Sequence, residues 1–223
     1  MIKQQGMTLI EIMISLLIGV FLIGGVLQIF INARQTYRMQ ENLSGMQENG
    51  RFALSFLGND IRMADFRECP TVPSVATAVV GTNDSGLNGS DTVTVTWQDN
   101  LCGVATNTQT RTFSIKAGAS GQPALFSGVN NELIEGMENM QILYGEDTDA
   151  DNTPNYYVPA GTVGLNMDQV ISVRIRLVAV SLEDNLTSQP VAYTYNYNGT
   201  PTTPTDRKLR RVFTSTIVLR NRL

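Results

Sequence analysis

Histidine is absent from the 223 residues of this sequence. Its absence removes the commonest general base, the Ser-His and Cys-His nucleophile pairs and every imidazole metal ligand. Positive charge is also scarce, because 16 lysine and arginine residues stand against 20 aspartate and glutamate residues and give a net charge of -4. An acidic chain has no general positive field to hold nucleic acid, so we expect no nucleic acid as a direct partner. Because histidine is absent, we also expect no enzymatic activity.

Cysteine is nearly absent, since only Cys69 and Cys102 occur. With 32 residues between them, these thiols are too few and too distant for a thiolate zinc site or a redox CxxC pair. They are either free core residues in a reducing compartment or, if the domain lies across a membrane, a disulfide, and the disulfide is favoured. In the chain-entropy model it would stabilise the fold by about 3–4 kcal/mol.

Charge is almost missing from the segment Met7 to Ile31, where Glu11 is the one charged residue. As a helix, these 25 residues reach roughly 37 Å, enough to cross a hydrocarbon core of about 30 Å. A cleaved secretory signal has a shorter apolar core, a more basic prefix and a small-residue cleavage site. The sequence therefore predicts a retained transmembrane helix.

Glu11 is costly inside such a helix, by on the order of 2.5–3.5 kcal/mol at the membrane centre and less near an end. One explanation is that Glu11 lies near the interface and reaches the lipid headgroups. The other is that its carboxylate awaits a cation from another chain. Cleavage between Gly6 and Met7 would give Met7 a free amine at the start of the helix and would supply such a cation.

The segment "GMTLIE", from Gly6 to Glu11, resembles the signal of type IV prepilins and of type II secretion pseudopilins. The resemblance implies cleavage by prepilin peptidase after Gly6 and N-methylation of Met7. It assigns subunit assembly to Glu11 and Thr8, with Glu11 helping to neutralise the N-terminal amine of a neighbouring subunit. Met7 departs from the phenylalanine usual in this family.

Apolar or small residues continue in a single helical stripe beyond the membrane segment. The stripe predicts one helix from near Met7 to near Phe66, whose second half packs against the protein's own globular domain. Phe52 and Phe56 would widen the packed face. The stripe consists of Met39, Leu43, Met46, Gly50, Ala53, Leu57, Ile61 and Ala64.

The second half of this helix resembles the PilW family of minor pilins. The similarity covers Gln47 to Leu54, then Asp60, Arg62, Met63 and Ala64, and a following cysteine, Cys69. It implies assembly with other minor pilins and a major pilin in an initiating or tip complex, often beneath a PilY-type adhesin.

Alternating patterns beyond residue 66 predict about five strands, in an antiparallel sheet that packs on the helix. The expected fold class is α+β and pilin-like. The expected parts are a leader (1–6), a transmembrane and assembly half of the helix (7–33), an amphipathic half (34–66) and a β-rich domain (67–223). Residues 69–90 are expected to form a surface loop, and the tyrosines of 193–197 a short edge strand. The strand segments are "DTVTVTW", "TRTFSIK", "ENMQILYG", "QVISVRIRLVAVS" and "RVFTSTIVLRN".

Asp147, Asp149 and Asp151 alternate as in the first half of a calcium-binding loop. The glycine expected at the sixth position is Asn152, and the glutamate expected at the twelfth is Val158. A solvated acidic turn without an ion is therefore preferred, and no cofactor is expected. Calcium is the alternative.

A basic cluster is expected to be a solvated hairpin end, with contact to an acidic partner subunit, or to DNA passing a pilus tip, as the alternative. It consists of Arg207, Lys208, Arg210 and Arg211.

These patterns favour a non-enzymatic minor pilin. It would wait in the inner membrane as a single-pass protein with its globular domain in the periplasm, and then enter a type IV pilus at the cell surface. There it would support pilus biogenesis, adhesion and twitching motility. The first alternative is a J-type minor pseudopilin of a type II secretion system, and the second is a membrane-anchored periplasmic enzyme.

Overall fold

A computed structural model describes residues 8–69, 74–75, 77–99 and 107–223 of the chain. It divides into two compact units, Met1–Glu41 and Asn42–Leu223. One helix, α1, spans Leu9–Arg62. The predicted long N-terminal helix is therefore confirmed, and it ends about one turn before the expected position.

In the second unit, α1 buries one face against the β-sheets. Six of the eight predicted stripe residues are buried, whereas Met39 and Leu43 remain partly or largely exposed. The buried stripe therefore begins at Met46, and the helix before it carries no buried residue from Leu9 onwards. Phe56 extends the packed face, because its ring meets the ring of Phe113 edge-on at a centroid distance of 6.0 Å.

Nine strands lie among the described residues, and every pair of neighbouring strands is antiparallel. The first sheet has the order β1-β2-β3-β4-β5, and the second has the order β7-β6-β8-β9. Most neighbours are also consecutive in sequence, as expected for hairpin connections. The strands are β1 (Val79–Thr82), β2 (Thr92–Gln98), β3 (Thr108–Ala117), β4 (Pro123–Ser127), β5 (Asn131–Glu135), β6 (Met137–Glu146), β7 (Tyr156–Val158), β8 (Val170–Val180) and β9 (Arg210–Val218).

The five strands predicted by alternation are confirmed as β2, β3, β6, β8 and β9, but they belong to two sheets and not one. The four strands that were missed (β1, β4, β5 and β7) are three to five residues long, too short to show a clear period. One of them, β1, lies inside the stretch expected to be a surface loop. The expected edge strand at 193–197 is wrong, because Tyr193 forms only an isolated bridge with Thr202.

The core of the second unit lies between α1 and both sheets. The apolar faces of α1, β2, β3, β6 and β8 form one continuous cluster. Phe213 of β9 lies directly over Gly50 of α1, where a Cβ atom would come within 2.4 Å of the phenyl ring. Asp60 of α1 also forms an ion pair with Arg111 of β3 at 2.6 Å, so α1 is bonded to the first sheet and packed on the second.

A polar seam joins the two sheets at Ser90 and Asp91. The Met140 N–H donates to Ser90 Oγ (3.0 Å), and the Asp91 N–H donates to the Met140 carbonyl (2.8 Å). The Asp91 carboxylate accepts the N–H groups of Asp84 (2.8 Å) and Ile142 (2.6 Å). The segment before β2 is therefore fixed to β6, in the other sheet.

The C-terminal residues close the end of α1. Asn221 Nδ2 donates to the carbonyls of Arg62 (3.0 Å) and Ala64 (3.1 Å), which have no partner further along the helix. Arg222 then donates to the carbonyls of Met167 (2.6 Å) and Val170 (3.0 Å). The C-terminus is thus fixed to the end of α1 and to the segment before β8.

Candidate functional site

The start of α1 carries a line of polar side chains, Thr8, Glu11 and Ser15, spaced to lie on one helical face. Thr8 lies just before the helix and acts as its N-cap, since its carbonyl accepts the Glu11 N–H at 3.1 Å and its Oγ1 lies 3.4 Å from the same nitrogen. Ser15 Oγ donates to the Glu11 carbonyl at 2.7 Å. These contacts hold the backbone around Glu11 and leave its carboxylate exposed.

Around this line, the helix surface is apolar and exposed. From Leu9 to Ile31 the large side chains are leucine, isoleucine, valine, methionine and phenylalanine, and each is at least about half exposed. By length and composition, α1 can cross a membrane. An exposed apolar surface of this size must be covered by lipid or by other helices.

Glu11 is the single ionisable group in this apolar stretch. Among the described residues, no lysine or arginine forms an ion pair with it. Gly6 and Met7, the predicted processing residues, lie outside the described residues. The pairing of Glu11 with an N-terminal amine therefore stays a prediction.

Cys69 is buried, and it is disulfide-bonded. It follows the end of α1, where the Phe66 carbonyl accepts the N–H of Gln98 in β2. Its predicted partner Cys102 lies outside the described residues, so the pairing stays a prediction.

The three aspartates of the acidic turn come together after β6. Asp147, Asp149 and Asp151 each offer a carboxylate oxygen, and these oxygens lie within 4.8 Å of one another. Asp147 already accepts the backbone N–H groups of Ala150 (2.8 Å) and Asn152 (2.8 Å). Burial raises the pKa of Asp147, but the hydrogen bonds that its carboxylate accepts outweigh this effect and lower the pKa. Asp147 is therefore satisfied by backbone groups of the turn and is buried, not solvated. The turn without an ion stays the prediction, and calcium stays its alternative.

The predicted basic cluster is not one surface. Arg210 has a side chain that is only 5% exposed, and it binds Glu138 through Nε (2.6 Å) and Asp206 through Nη1 (2.6 Å). Lys208 donates instead to Gln122, and Arg207 bonds to Asn185. The expectation of a solvated hairpin end is therefore wrong for Arg210. Its partner Glu138 lies 72 residues away in the sequence, so no local pattern indicates this contact.

Comparison with known protein families gives two matches. The prokaryotic N-terminal methylation motif matches residues 1–27, which include the start of α1. The family of the type IV pilus-assembly protein W, PilW, matches residues 112–221, which run from β3 to the last turn of the chain. The chain carries a PilW family domain.

The PilW match is independent of the residues that suggested the family. The resemblance in the sequence lies in the second half of α1 and just after it, whereas the PilW family domain covers most of both sheets. The methylation motif covers another part of the chain, residues 1–27, which include Gly6, Met7 and Glu11. Together with the exposed apolar helix, it fits a membrane-anchored pilin that assembles into a pilus.

Solved structures support the fold. A type IV-like pilin from Thermus thermophilus superposes with a TM-score of 0.53 over 78% of this chain and 96% of that chain, at 14% sequence identity. At this identity the likeness shows the fold alone, a long N-terminal helix packed on antiparallel sheets. No curated protein matches the chain.

Proposed function

We propose that this chain is a non-enzymatic minor pilin of a type IV pilus. The observation that carries the proposal is the combination of a prepilin methylation motif at residues 1–27 with a PilW family domain at residues 112–221. The apolar surface of the first helical unit supports it, because lateral packing with other helices would cover that surface in a fibre. Prepilin peptidase would cut after Gly6, and the new N-terminus at Met7 would be methylated.

Before assembly, the protein is a single-pass inner-membrane protein with its globular domain in the periplasm. After assembly, it lies with other minor pilins and the major pilin in an initiating or tip complex, with a PilY-type adhesin as a further partner. This placement accounts for a role in pilus biogenesis, adhesion and twitching motility. The match to the PilW family and the apolar segment Met7 to Ile31 support it.

Glu11 acts in assembly by pairing with the N-terminal amine of a neighbouring pilin. In the interior of a helical bundle the dielectric is low, so an unpaired charge is costly and a correctly placed pair selects one register. Thr8 and Ser15 hold the backbone on either side, which keeps the carboxylate on the exposed face.

We predict that Glu11→Ala lowers incorporation into sheared pili by at least tenfold, which corresponds to about 1.4 kcal/mol per subunit. The variant loses the acceptor for the neighbour's amine but keeps the cleavage site, so processing after Gly6 stays intact. Immunoblots of sheared pili measure incorporation, and mass spectrometry measures the mature N-terminus. Gln28→Ala is the matched control, because it removes a polar side chain from the same apolar segment, makes no contact with Glu11 and leaves the carboxylate.

Normal incorporation of Glu11→Ala would contradict the pairing. Pull-downs of the wild-type protein test its placement: pilins and an adhesin should copurify with it. Copurification with type II secretion components would instead assign it as a J-type pseudopilin.

A further inference from the structure

A polar cavity of about 310 Å3 lies at one end of the second sheet. Its walls come from four places in the chain: the turn before β2, the start of β6, the segment 193–206 and the start of β9. We call residues 193–206 the tyrosine segment. A cavity of this size is at the lower end of the range for small-molecule sites, so it suits one compact ligand unit.

One wall of the cavity is held rigidly by Arg210. Its guanidinium makes paired hydrogen bonds to both oxygens of Glu138 (2.6 and 2.8 Å) and to both oxygens of Asp206 (2.6 and 2.7 Å). Such bidentate pairs fix the planes of the side chains involved. The hydrogen bonds from Arg210 also lower the pKa of Asp206, so this carboxylate stays ionised at neutral pH.

A second wall is aromatic. The ring of Tyr193 lies over the guanidinium of Arg210 at 5.3 Å, and its hydroxyl donates to Glu138 at 3.3 Å. The ring of Tyr195 packs against Tyr193 with a centroid distance of 5.7 Å. Burial raises the pKa of Tyr193 to about 12, so its hydroxyl keeps its proton. Tyr195 is only partly buried, and it lines the cavity beside Tyr193.

Several polar groups at the cavity can make further hydrogen bonds. Among the described residues, the hydroxyls of Tyr195, Thr202 and Thr205 make no hydrogen bond with a protein group. Glu138 Oε1 and Asp206 Oδ2 each accept one hydrogen bond, whereas a carboxylate oxygen can accept two. The cavity therefore offers hydroxyl groups and acceptors beside an aromatic face.

The charge of the lining excludes anions. Two carboxylates face one guanidinium, so an acidic ligand would be repelled. A ligand that donates several hydroxyl protons and presents a C–H face to an aromatic ring matches all of these groups. We propose that this cavity binds a neutral sugar unit, with Tyr195 as its platform and with Glu138 and Asp206 as acceptors for its hydroxyls.

The experiment titrates the full-length protein in detergent micelles whose headgroup is not a sugar. The probes are methyl β-D-glucopyranoside, methyl α-D-mannopyranoside and N-acetylglucosamine, followed by saturation-transfer NMR. At least one should bind with a dissociation constant on the order of 1 mM. Tyr195→Ala should weaken that binding at least fivefold, and Tyr195→Phe, which keeps the ring, should retain most of it.

Two further variants test whether the sugar binds in the cavity or elsewhere on the protein. Thr205→Trp places a large side chain at the exposed rim without removing packing and should abolish binding, whereas Tyr37→Ala, far away in the sequence on an exposed helix surface, should not change it. Glucuronate should bind more weakly than the neutral sugars.

The proposal is overturned if none of the three neutral sugars binds, if Thr205→Trp binds as the wild type does, or if propylammonium displaces the sugar with equal affinity. The last result would identify a cation site. Because binding is measured on the isolated protein, it is independent of incorporation into pili.

Discussion

At the scale of single residues, the buried carboxylate of Asp91 is the least expected feature. It is only 2% exposed, yet it lies in the seam between the two sheets and accepts two backbone N–H groups. Burial raises its pKa from 3.8 to about 6, and the two hydrogen bonds only partly offset this effect. Burial raises the pKa of the nearby Tyr144 as well, and the charge on Asp91 adds to this.

The raised pKa of Asp91 predicts an unusual dependence of stability on pH. Between about pH 4 and pH 6 the folded protein holds a proton that the unfolded chain has lost, so stability falls as the pH rises through this window. The penalty is complete above pH 6 and absent below pH 4, and it amounts to about 3 kcal/mol at most. In Asp91→Asn this slope should vanish.

Urea unfolding of both proteins from pH 4 to pH 8 measures the effect. The other titrating groups are common to both chains, so the difference between the two unfolding free energies isolates Asp91. The same difference at every pH would show that the carboxylate titrates normally.

At the scale of elements, α1 is one helix whose two parts have different surfaces. Its first part exposes apolar side chains, and its second part buries a narrow stripe that begins at Met46. The stripe includes Gly50, where the absent side chain makes room for the ring of Phe213. Glycine weakens a helix, so its presence at 50 is explained by close packing and not by helix formation.

Two matched substitutions separate these effects. Gly45→Ala and Gly50→Ala gain the same helix propensity, about 1 kcal/mol. A Cβ at 45 meets nothing within 4 Å, whereas a Cβ at 50 would lie 2.4 Å from Phe213 Cε2. We expect Gly45→Ala to raise the unfolding free energy by about 0.5–1 kcal/mol and Gly50→Ala to lower it by about 1–2 kcal/mol.

Denaturant midpoints of the two variants provide the measurement. Equal stabilisation by both would mean that Phe213 moves aside without cost, and that β9 is less tightly fixed on α1 than its contacts indicate.

At the scale of the whole molecule, stability depends on links between distant parts of the chain. The seam at Ser90 and Asp91 joins the two sheets, and Asn221 joins the C-terminus to the end of α1. The disulfide of Cys69 lies where α1 meets the first sheet. Of these links only the disulfide is covalent, so it alone also constrains the unfolded chain, and with Cys102 as its predicted partner it would close a loop with 32 residues between the cysteines.

Replacing both cysteines, in Cys69→Ser with Cys102→Ser, should therefore lower the unfolding free energy by about 3–4 kcal/mol. Urea unfolding with and without reductant measures the change, and a peptide map under non-reducing conditions identifies the linked pair. Reductant should not affect the double variant. A wild-type midpoint that is insensitive to reductant would exclude a stabilising bridge.

Local patterns in the sequence predicted the helix and the longer strands, whereas the pairing of the strands and the polar contacts depend on long-range contacts. The helix and the five longest strands follow from the period of their apolar residues, which is a property of neighbours in the chain. The division into two sheets depends on which strands pair, and alternation does not specify partners. The same holds for Arg210, whose partners are 4 and 72 residues away, and for the cavity that these groups line.

By itself, the sequence determined the prepilin signal, the apolar segment with Glu11 and the long helix with its buried stripe, because each depends only on spacing along the chain. Only the tertiary structure decided that Asp91 is buried between two sheets, that Gly50 receives Phe213 and that Arg210 supports a polar cavity. The physical reason is that burial and hydrogen bonding depend on which distant segments meet.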